Sequence, residues 1–159
     1  MIVGISGARE ISDQDIKTIH DEMNKLVTDP LVSEIIFGGA RGTDTWALLS
    51  AYDIKKTLSL NRPKLTVIVP NLVSNQPKAA QKAINVCADN VIRLQQEITR
   101  YNGWKALFDR NIAMINKSDM MVCFPVKSNP TGGTRRTMWE SQKRKVKVMV
   151  VELEGKEAK

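Results

Sequence analysis

Five short apolar runs, rich in valine and isoleucine, constrain the fold of this chain more than any other feature of its sequence. They cover residues 2–6, 34–37, 65–69, 120–124 and 146–151, with residues 90–94 as a weaker sixth candidate. Most are continuous rather than alternating, which is typical of strands covered on both faces. They therefore predict a parallel sheet that is buried between two layers.

Helical patterns separate these runs. Residues 12–15 read Ser-Asp-Gln-Asp, a capping box that uses Asp15, and Ile11 and Ile16 are placed as a hydrophobic staple across it. Four further helices are predicted over residues 43–58, 78–87, 104–116 and 133–143. In the helix over residues 43–58, Leu58 is expected to continue one apolar stripe with Ala47, Ala51 and Ile54. Strands that alternate with helices predict a single α/β domain, with a mostly parallel, doubly wound sheet of five to six strands and helices on both faces.

The composition narrows the choice of partners and compartment. The 159 residues include 24 Lys and Arg against 17 Asp and Glu, and a net charge of +7 attracts phosphates, nucleotides or nucleic acid. No apolar run approaches the ~18 residues of a membrane span, and the N-terminus is predicted to be a strand rather than a signal peptide. We therefore expect a cytoplasmic protein without a membrane partner. The domain is predicted over residues 1–151, and the charged tail 152–159 is expected to fray.

Neither metal nor cofactor is expected. Cys87 and Cys123 have no metal-ligand spacing, and the chain contains a single histidine. We interpret both cysteines as reduced, buried thiols.

Three loops that follow predicted strands form the candidate site, because ligands of open α/β sheets bind beyond the carboxyl ends of the strands. The first loop contains Ser6, Gly7 and Arg9. Its small residues let a ligand approach the backbone, and Arg9 has the geometry to grip a phosphate. A tight turn without a ligand is the alternative interpretation of this loop.

The second loop leads directly into a helix. It consists of Gly38, Gly39, Ala40, Arg41, Gly42, Thr43 and Asp44. Thr43 is a candidate N-cap, and backbone N–H groups at such a helix start favour an anion. Asp44 either complements the helix dipole or accepts hydrogen bonds from a ribose hydroxyl.

The third loop places two cations at a helix start. It contains Gly132, Gly133, Thr134, Arg135 and Arg136. Cations are unfavourable at a helix N-terminus, so two arginines there indicate a bound anion such as phosphate. Glu140 follows two turns later, where it either reaches the same pocket or is solvated. On the preceding helix, Arg110 and Asn111 are secondary candidates, although an arginine placed like Arg110 more often pairs with a nearby carboxylate.

Together these loops resemble the SLOG superfamily of Rossmann-like nucleotide-binding proteins, and in particular its bacterial and phage YspA-like group. The resemblance spans nearly the whole chain. It is carried by Ser6-Gly7-Ala8-Arg9, by residues 38–44, by Arg110-Asn111-Ile112-Ala113-Met114 with Ser118-Asp119, and by Gly132-Gly133-Thr134. It implies a protein that binds a phosphorylated nucleoside or nucleotide derivative, as a sensor or a sequestering protein. It also implies a homo-oligomer, since related proteins often complete their pockets across dimers.

Two alternatives come from related families. The chain is similar to the Lonely Guy phosphoribohydrolases, which cut N-glycosidic bonds, and this similarity implies catalytic roles for Arg110 and Glu140. It departs from the enzymes in three places: Asn111 replaces a lysine, Arg136 replaces a glycine, and Gly132-Gly133 lies one residue further from Glu140. Whether the protein is an enzyme therefore stays open.

The second alternative is single-stranded DNA binding, implied by a similarity to DNA processing protein A. Such binding normally uses aromatic side chains beside a basic groove. Here most aromatic residues fall in predicted strands or helices, where we expect them in the core: Phe37, Phe108, Phe124, Trp46, Trp104, Trp139, Tyr52 and Tyr101. Nucleic acid is therefore a less favoured partner than a small nucleotide-type molecule.

Overall fold

A computed structural model describes residues 1–95 and 103–156 and contains one six-stranded, entirely parallel sheet over those residues. The strands are β1 (Ile2–Gly7), β2 (Glu34–Phe37), β3 (Lys64–Val69), β4 (Asn90–Arg93), β5 (Met120–Phe124) and β6 (Lys147–Val150). Their spatial order is β4-β3-β2-β1-β5-β6. All six predicted strands are confirmed, each within one residue at either end.

Five helices cover the two faces of this sheet. They are α1 (Asp13–Thr28), α2 (Thr43–Thr57), α3 (Lys78–Cys87), α4 (Gly103–Lys117) and α5 (Gly133–Lys143). Neighbouring strand residues point to opposite faces. On β2, Ile35 and Phe37 join the core beneath α1, α2 and α3, whereas Ile36 packs with Met114 of α4. On β5, Met121 and Cys123 pack with residues of α4 and α5. The doubly wound α/β fold is therefore confirmed.

Helix starts follow the sequence closely, with one correction. The capping box is present, because Ser12 Oγ accepts the Asp15 N–H at 3.2 Å and Asp15 Oδ2 accepts the Ser12 N–H at 3.0 Å. The expectation that Thr43 caps α2 is wrong, since Gly42 is the N-cap and Thr43 is the first helical residue. The Thr43 side chain turns instead to the loop after β1, where its hydroxyl donates to the Ala8 carbonyl at 2.8 Å.

Leu58 does not continue the buried stripe of α2. The helix ends at Thr57, and Leu58 is the C-cap with half of its surface exposed. The apolar pattern runs one residue past the end of the helix, so this expectation is wrong.

The expectation that the C-terminal tail frays is wrong for residues 152–156. Leu153 is buried and forms a parallel bridge with Val126. The Asp15 carboxylate accepts the N–H groups of Glu154 and Gly155, each at 2.8 Å. The tail is therefore fixed by backbone hydrogen bonds that its charged composition does not indicate. Residues 157–159 lie outside the described part of the chain.

The topology places a crevice at the centre of the sheet. β1 pairs with β2 on one side and with β5 on the other, so the strand order reverses between β1 and β5. The connections after β1 and β5 lead to opposite faces, and such a switch point leaves a gap at the carboxyl ends of the strands. Within the described residues, no helix combines the length and the apolar character needed to cross a bilayer.

Candidate functional site

A cleft of about 650 Å³ lies at this switch point, and we call it the main cleft. Its walls come from the loops after β1 and β5, from the starts of α2 and α5, and from α4. Among the sequence-predicted residues, those that line it are Ser6, Gly7, Arg9, Ala40, Arg41, Asp44, Arg110, Asn111, Gly132, Gly133, Thr134 and Arg135. The structure therefore brings residues from all three predicted loops to one place.

The start of α5 presents backbone donors to the main cleft. Its N-cap is Gly132, at φ +107°, and no side chain in the described part of the chain caps the helix. The first bond of the helix runs from the Arg136 N–H to the Gly132 carbonyl at 3.1 Å. The N–H groups of Gly133, Thr134 and Arg135 precede it and have no acceptor in the helix. An uncapped helix start of this kind can bind an anion.

The two arginines of α5 diverge. The Arg135 side chain lies in the main cleft, where Nε donates to the Asn129 carbonyl at 3.1 Å and Nη2 to the Val126 carbonyl at 3.3 Å. Arg136 turns away and lies over the Phe108 ring, 6.0 Å from its centroid. Adjacent helical residues leave the helix about 100° apart, and here the two arginine side chains keep to different sides.

Two buried side chains of opposite charge, Asp44 and Arg110, line the main cleft. Asp44 and Arg110 are 6% and 5% exposed. Arg110 Nη1 donates to the Gly38 carbonyl at 2.6 Å, and its Nε and Nη2 donate to Asn111 Oδ1 at 3.3 and 3.2 Å. The Asp44 Oδ2 accepts the Ala40 N–H at 3.2 Å. Arg110 therefore lines the cleft and lies close enough to Asp44 for their charges to interact, while a role for Arg110 in ligand binding stays a prediction.

One oxygen of this pair has no partner. Among buried side-chain nitrogen and oxygen atoms of the described residues, only Asp44 Oδ1 lacks a hydrogen bond. Burial raises the pKa of Asp44, although the positive charge of Arg110 opposes this effect. Burial likewise lowers the pKa of the Arg110 guanidinium, against the attraction of Asp44. A buried acceptor without a hydrogen bond destabilises the folded protein. A ligand hydroxyl that donates to Oδ1 would supply the missing hydrogen bond.

Four predicted residues of the second loop support the cleft without lining it: Gly38, Gly39, Gly42 and Thr43. Gly42 has φ +75°, and a Cβ there would stand 2.4 Å from the Arg9 carbonyl oxygen. The Thr43 N–H donates to the Ala8 carbonyl at 3.0 Å. The start of α2 is therefore closed by the loop after β1, whereas the start of α5 is open.

The rim of the main cleft includes residues that the sequence reasoning missed. Glu10 pairs with Arg41 at 2.6 Å and with Lys156 of the tail at 2.9 Å. Five cationic side chains and two acidic ones line the cleft in all, so its charge is positive. Lys156 lies 21 residues from Arg135 in the sequence and 46 or more from the other cations of this group, and the folded tail brings it close to them. No local pattern in the sequence could have identified it.

A smaller cavity of about 200 Å³ adjoins the main cleft, and we call it the α4–α5 pocket. Glu140 and Arg136 line this pocket and not the main cleft. Glu140 is buried, and its Oε2 lies 3.6 Å from an Arg144 nitrogen. The solvated alternative for Glu140 therefore does not hold.

The expectation that most aromatic side chains lie in the core is wrong for the tryptophans. Phe37 and Phe124 are fully buried, but Trp46, Trp104 and Trp139 are 41%, 65% and 58% exposed. Tyr101 lies outside the described residues. All three tryptophans lie on helices, and membership of a helix alone does not predict how exposed a side chain is.

A comparison with sequence models of protein families identifies the family of this chain. The model of the YspA SLOG family matches residues 10–154. The chain belongs to the YspA SLOG family. A comparison with curated protein sequences finds no match. The matched span of this SLOG protein includes the second and third loops, Arg110 and Glu140, while Ser6, Gly7 and Arg9 precede it. In the described part of the chain, no cluster of His, Cys, Asp or Glu is arranged to hold a metal ion.

Proposed function

We propose that this SLOG-family protein binds a phosphorylated nucleoside or nucleotide derivative in the main cleft, as a sensor or a sequestering protein. The observation that carries the proposal is that one cavity contains both free hydrogen-bond donors and a buried acceptor without a partner. The open helix start at Gly133 offers donors for a phosphate, and Asp44 Oδ1 offers an acceptor for a ribose hydroxyl. The cleft volume of about 650 Å³ falls in the range of small-molecule sites.

The roles of the remaining residues follow from their positions. Arg9 and Arg110 are secondary contacts that add positive charge between the phosphate and ribose sites. The geometry favours the start of α5 over that of α2 as the phosphate site, because Thr43 already donates its N–H to Ala8. By resemblance, we also propose that the protein is a homo-oligomer, which light scattering of the purified protein tests.

Equilibrium dialysis against a mixed panel tests the binding proposal. The panel contains mononucleotides, NAD, ADP-ribose and cyclic nucleotides, and both compartments are analysed by chromatography. An intact compound enriched on the protein side supports the proposal and identifies the ligand. Equal concentrations of every compound on both sides would refute it.

Hydrolysis of a nucleoside monophosphate is the second candidate function. The observation that favours it is that Arg110 and Glu140, both buried, line the same α4–α5 pocket beside the main cleft. Water would add across the N-glycosidic bond, giving a free base and ribose phosphate. The Glu140 carboxylate would stabilise the positive charge that develops on the sugar and orient the water.

A time course distinguishes this enzyme from a binding protein. Free base and ribose phosphate should accumulate with the wild-type protein. Glu140→Gln should retain binding and lose turnover. An active protein that keeps its full rate after this change would remove Glu140 from the mechanism, and an intact ligand at all times would leave the binding function alone.

A further inference from the structure

Glu10 places a carboxylate between two cations of the main cleft. Its Oε1 lies 2.6 Å from Arg41 Nη2, and its Oε2 lies 2.9 Å from Lys156 Nζ. All three residues line the cleft, and each comes from a different part of the chain: the loop after β1, the loop after β2 and the tail. The two cations therefore converge on one point, where the protein holds an anion of its own.

The tail holds Lys156 in place without help from Glu10. The Gly155 N–H donates to the Asp15 carboxylate at 2.8 Å, so the backbone next to Lys156 is anchored to α1. A Cβ on Gly155 would stand 2.8 Å from Val126 Cγ1, so the tail also packs closely against the loop after β5. Replacing Glu10 should therefore release the ammonium group of Lys156 from its partner and leave the tail where it is.

Lys156 lies on the same side of the main cleft as the start of α5. The Val126 carbonyl accepts a hydrogen bond from Arg135 Nη2 at 3.3 Å, and Arg135 belongs to the first turn of α5. Because Gly155 packs against the same Val126, the tail and the first turn of α5 meet at one residue. A group bonded to a phosphate at the start of α5 therefore has Lys156 beside it.

The Glu10 carboxylate is a weak occupant of its position. The side chains of Glu10, Arg41 and Lys156 are all more than half exposed, and exposed ion pairs contribute little to stability. A phosphate group carries up to two negative charges and three acceptor oxygens, whereas a carboxylate carries one charge and two oxygens. Arginine also binds phosphate through two parallel N–H donors. Exchanging the carboxylate for a phosphate group therefore strengthens the contacts of both cations.

We propose that Arg41 and Lys156 form a second phosphate subsite, and that Glu10 occupies this subsite as an internal competitor when no ligand is bound. The inference rests on the proposed binding of a nucleotide in the main cleft, with its first phosphate at Gly133. It defines the class of ligand as a nucleotide derivative with a diphosphate group. The second phosphate displaces the Glu10 carboxylate, whereas a ligand with one phosphate leaves it in place.

Two pairs of probes test the second subsite: inorganic phosphate with pyrophosphate, and AMP with ADP. The members of each pair differ by one phosphate group. Dissociation constants are measured by calorimetry at constant ionic strength for the wild-type protein, Glu10→Gln and Lys156→Gln. The matched controls are Glu154→Gln and Lys127→Gln, because these two residues form a similar exposed ion pair, at 2.7 Å, and are not among the described residues that line either cavity. Circular dichroism confirms that each variant is folded.

We expect Glu10→Gln to tighten the binding of pyrophosphate and ADP by about tenfold, the lower end of what one hydrogen bond to a charged group contributes. Phosphate and AMP should tighten by about threefold or less, since a distant exposed charge is screened by salt. Lys156→Gln should weaken pyrophosphate and ADP by about tenfold and leave phosphate and AMP within that smaller range. Both control variants should bind all four probes as the wild type does.

The outcomes separate the second subsite from the proposed function. If Glu10→Gln tightens both members of each pair equally, the effect is one of net charge and the second subsite is refuted, while the first phosphate site stands. The same conclusion follows if Lys156→Gln changes neither pyrophosphate nor ADP, or if Glu154→Gln reproduces the effect of Glu10→Gln. If none of the four probes binds, the proposed function fails and the second subsite fails with it.

Discussion

Gly133→Val tests whether the open start of α5 takes the phosphate. A Cβ at Gly133 meets no atom of residues 1–95 and 103–156 within 4 Å, so this part of the protein has room for the new side chain. Gly133 lines the main cleft, so we expect the isopropyl group to obstruct access to the N–H groups of Gly133, Thr134 and Arg135. We therefore expect a variant that folds normally and binds nucleotide poorly.

The expected loss follows from the donors that the side chain covers. A hydrogen bond to a charged group contributes about 1.5–3 kcal/mol. A phosphate that uses two N–H groups would lose about 3 kcal/mol at the lower end of this range, which is roughly 150-fold in Kd. The free energy of unfolding should stay equal or rise by up to about 1 kcal/mol, because valine restricts the unfolded chain more than glycine does.

Gly103→Val is the matched control. Gly103 is the first residue of α4, a Cβ there also meets no atom of the described residues within 4 Å, and Gly103 is not among the residues that line either cavity. Kd for ribose 5-phosphate is measured by equilibrium dialysis, and stability is measured by urea unfolding. An unchanged Kd for Gly133→Val would refute the assignment of the phosphate site. Equal losses in both variants would show that the effect is not local to the cleft.

Three further predictions concern other parts of the molecule. Burial raises the pKa of Asp15, but the hydrogen bonds from the N–H groups of Ser12, Glu154 and Gly155 outweigh it, so the pKa is lowered in the folded protein. The stabilisation from the Asp15 carboxylate is therefore fully present above its unfolded pKa of about 3.9. It is lost as the pH falls through the lower pKa of the folded protein. Asp15→Asn should lower the free energy of unfolding, measured with urea at pH 7, by about 3 kcal/mol. A difference in stability between wild type and variant that does not shrink in acid would contradict this. Burial raises the pKa of Cys87 to about 11 and that of Cys123 to about 12, so alkylation at pH 8 should be negligible until denaturant is added; rapid modification of the folded protein would be the contrary result. If the exposed Trp104 and Trp139 bind single-stranded DNA, fluorescence anisotropy of a labelled oligonucleotide should show affinity that falls steeply with salt, and Trp139→Ala should weaken it; absent or salt-insensitive binding ends that hypothesis.

The strands and helices could be predicted because their signals are local. A continuous apolar run such as Met120–Phe124 and a capping box at Ser12 depend on neighbours within a few residues. The loops that line the candidate site could be predicted for the same reason, since glycines next to arginines at strand ends form a short pattern. Continuous apolar runs also predict directly that helices cover both faces of the sheet.

The remaining features depend on contacts between distant residues. Arg110 reaches the Gly38 carbonyl across 72 positions, and helical periodicity gives no indication of that contact. Thr43 has the chemistry of an N-cap, yet its hydroxyl is bound by Ala8 on another loop. The exposure of Trp104 and Trp139 depends on which side of each helix meets the sheet, and bulky aromatic residues are compatible with either side.

The contact between Asp15 and Gly155 has a consequence for how the protein is made. One carboxylate joins the start of α1 to a backbone N–H that lies 140 positions later. Gly155 and Lys156 also form part of the main cleft. A chain on the ribosome can form its sheet strand by strand, but the cavity acquires its last wall only when these residues leave the exit tunnel. A nascent chain that stops before Gly155 would thus have an unfinished cleft, and ligand binding would distinguish it from a chain that has passed this point.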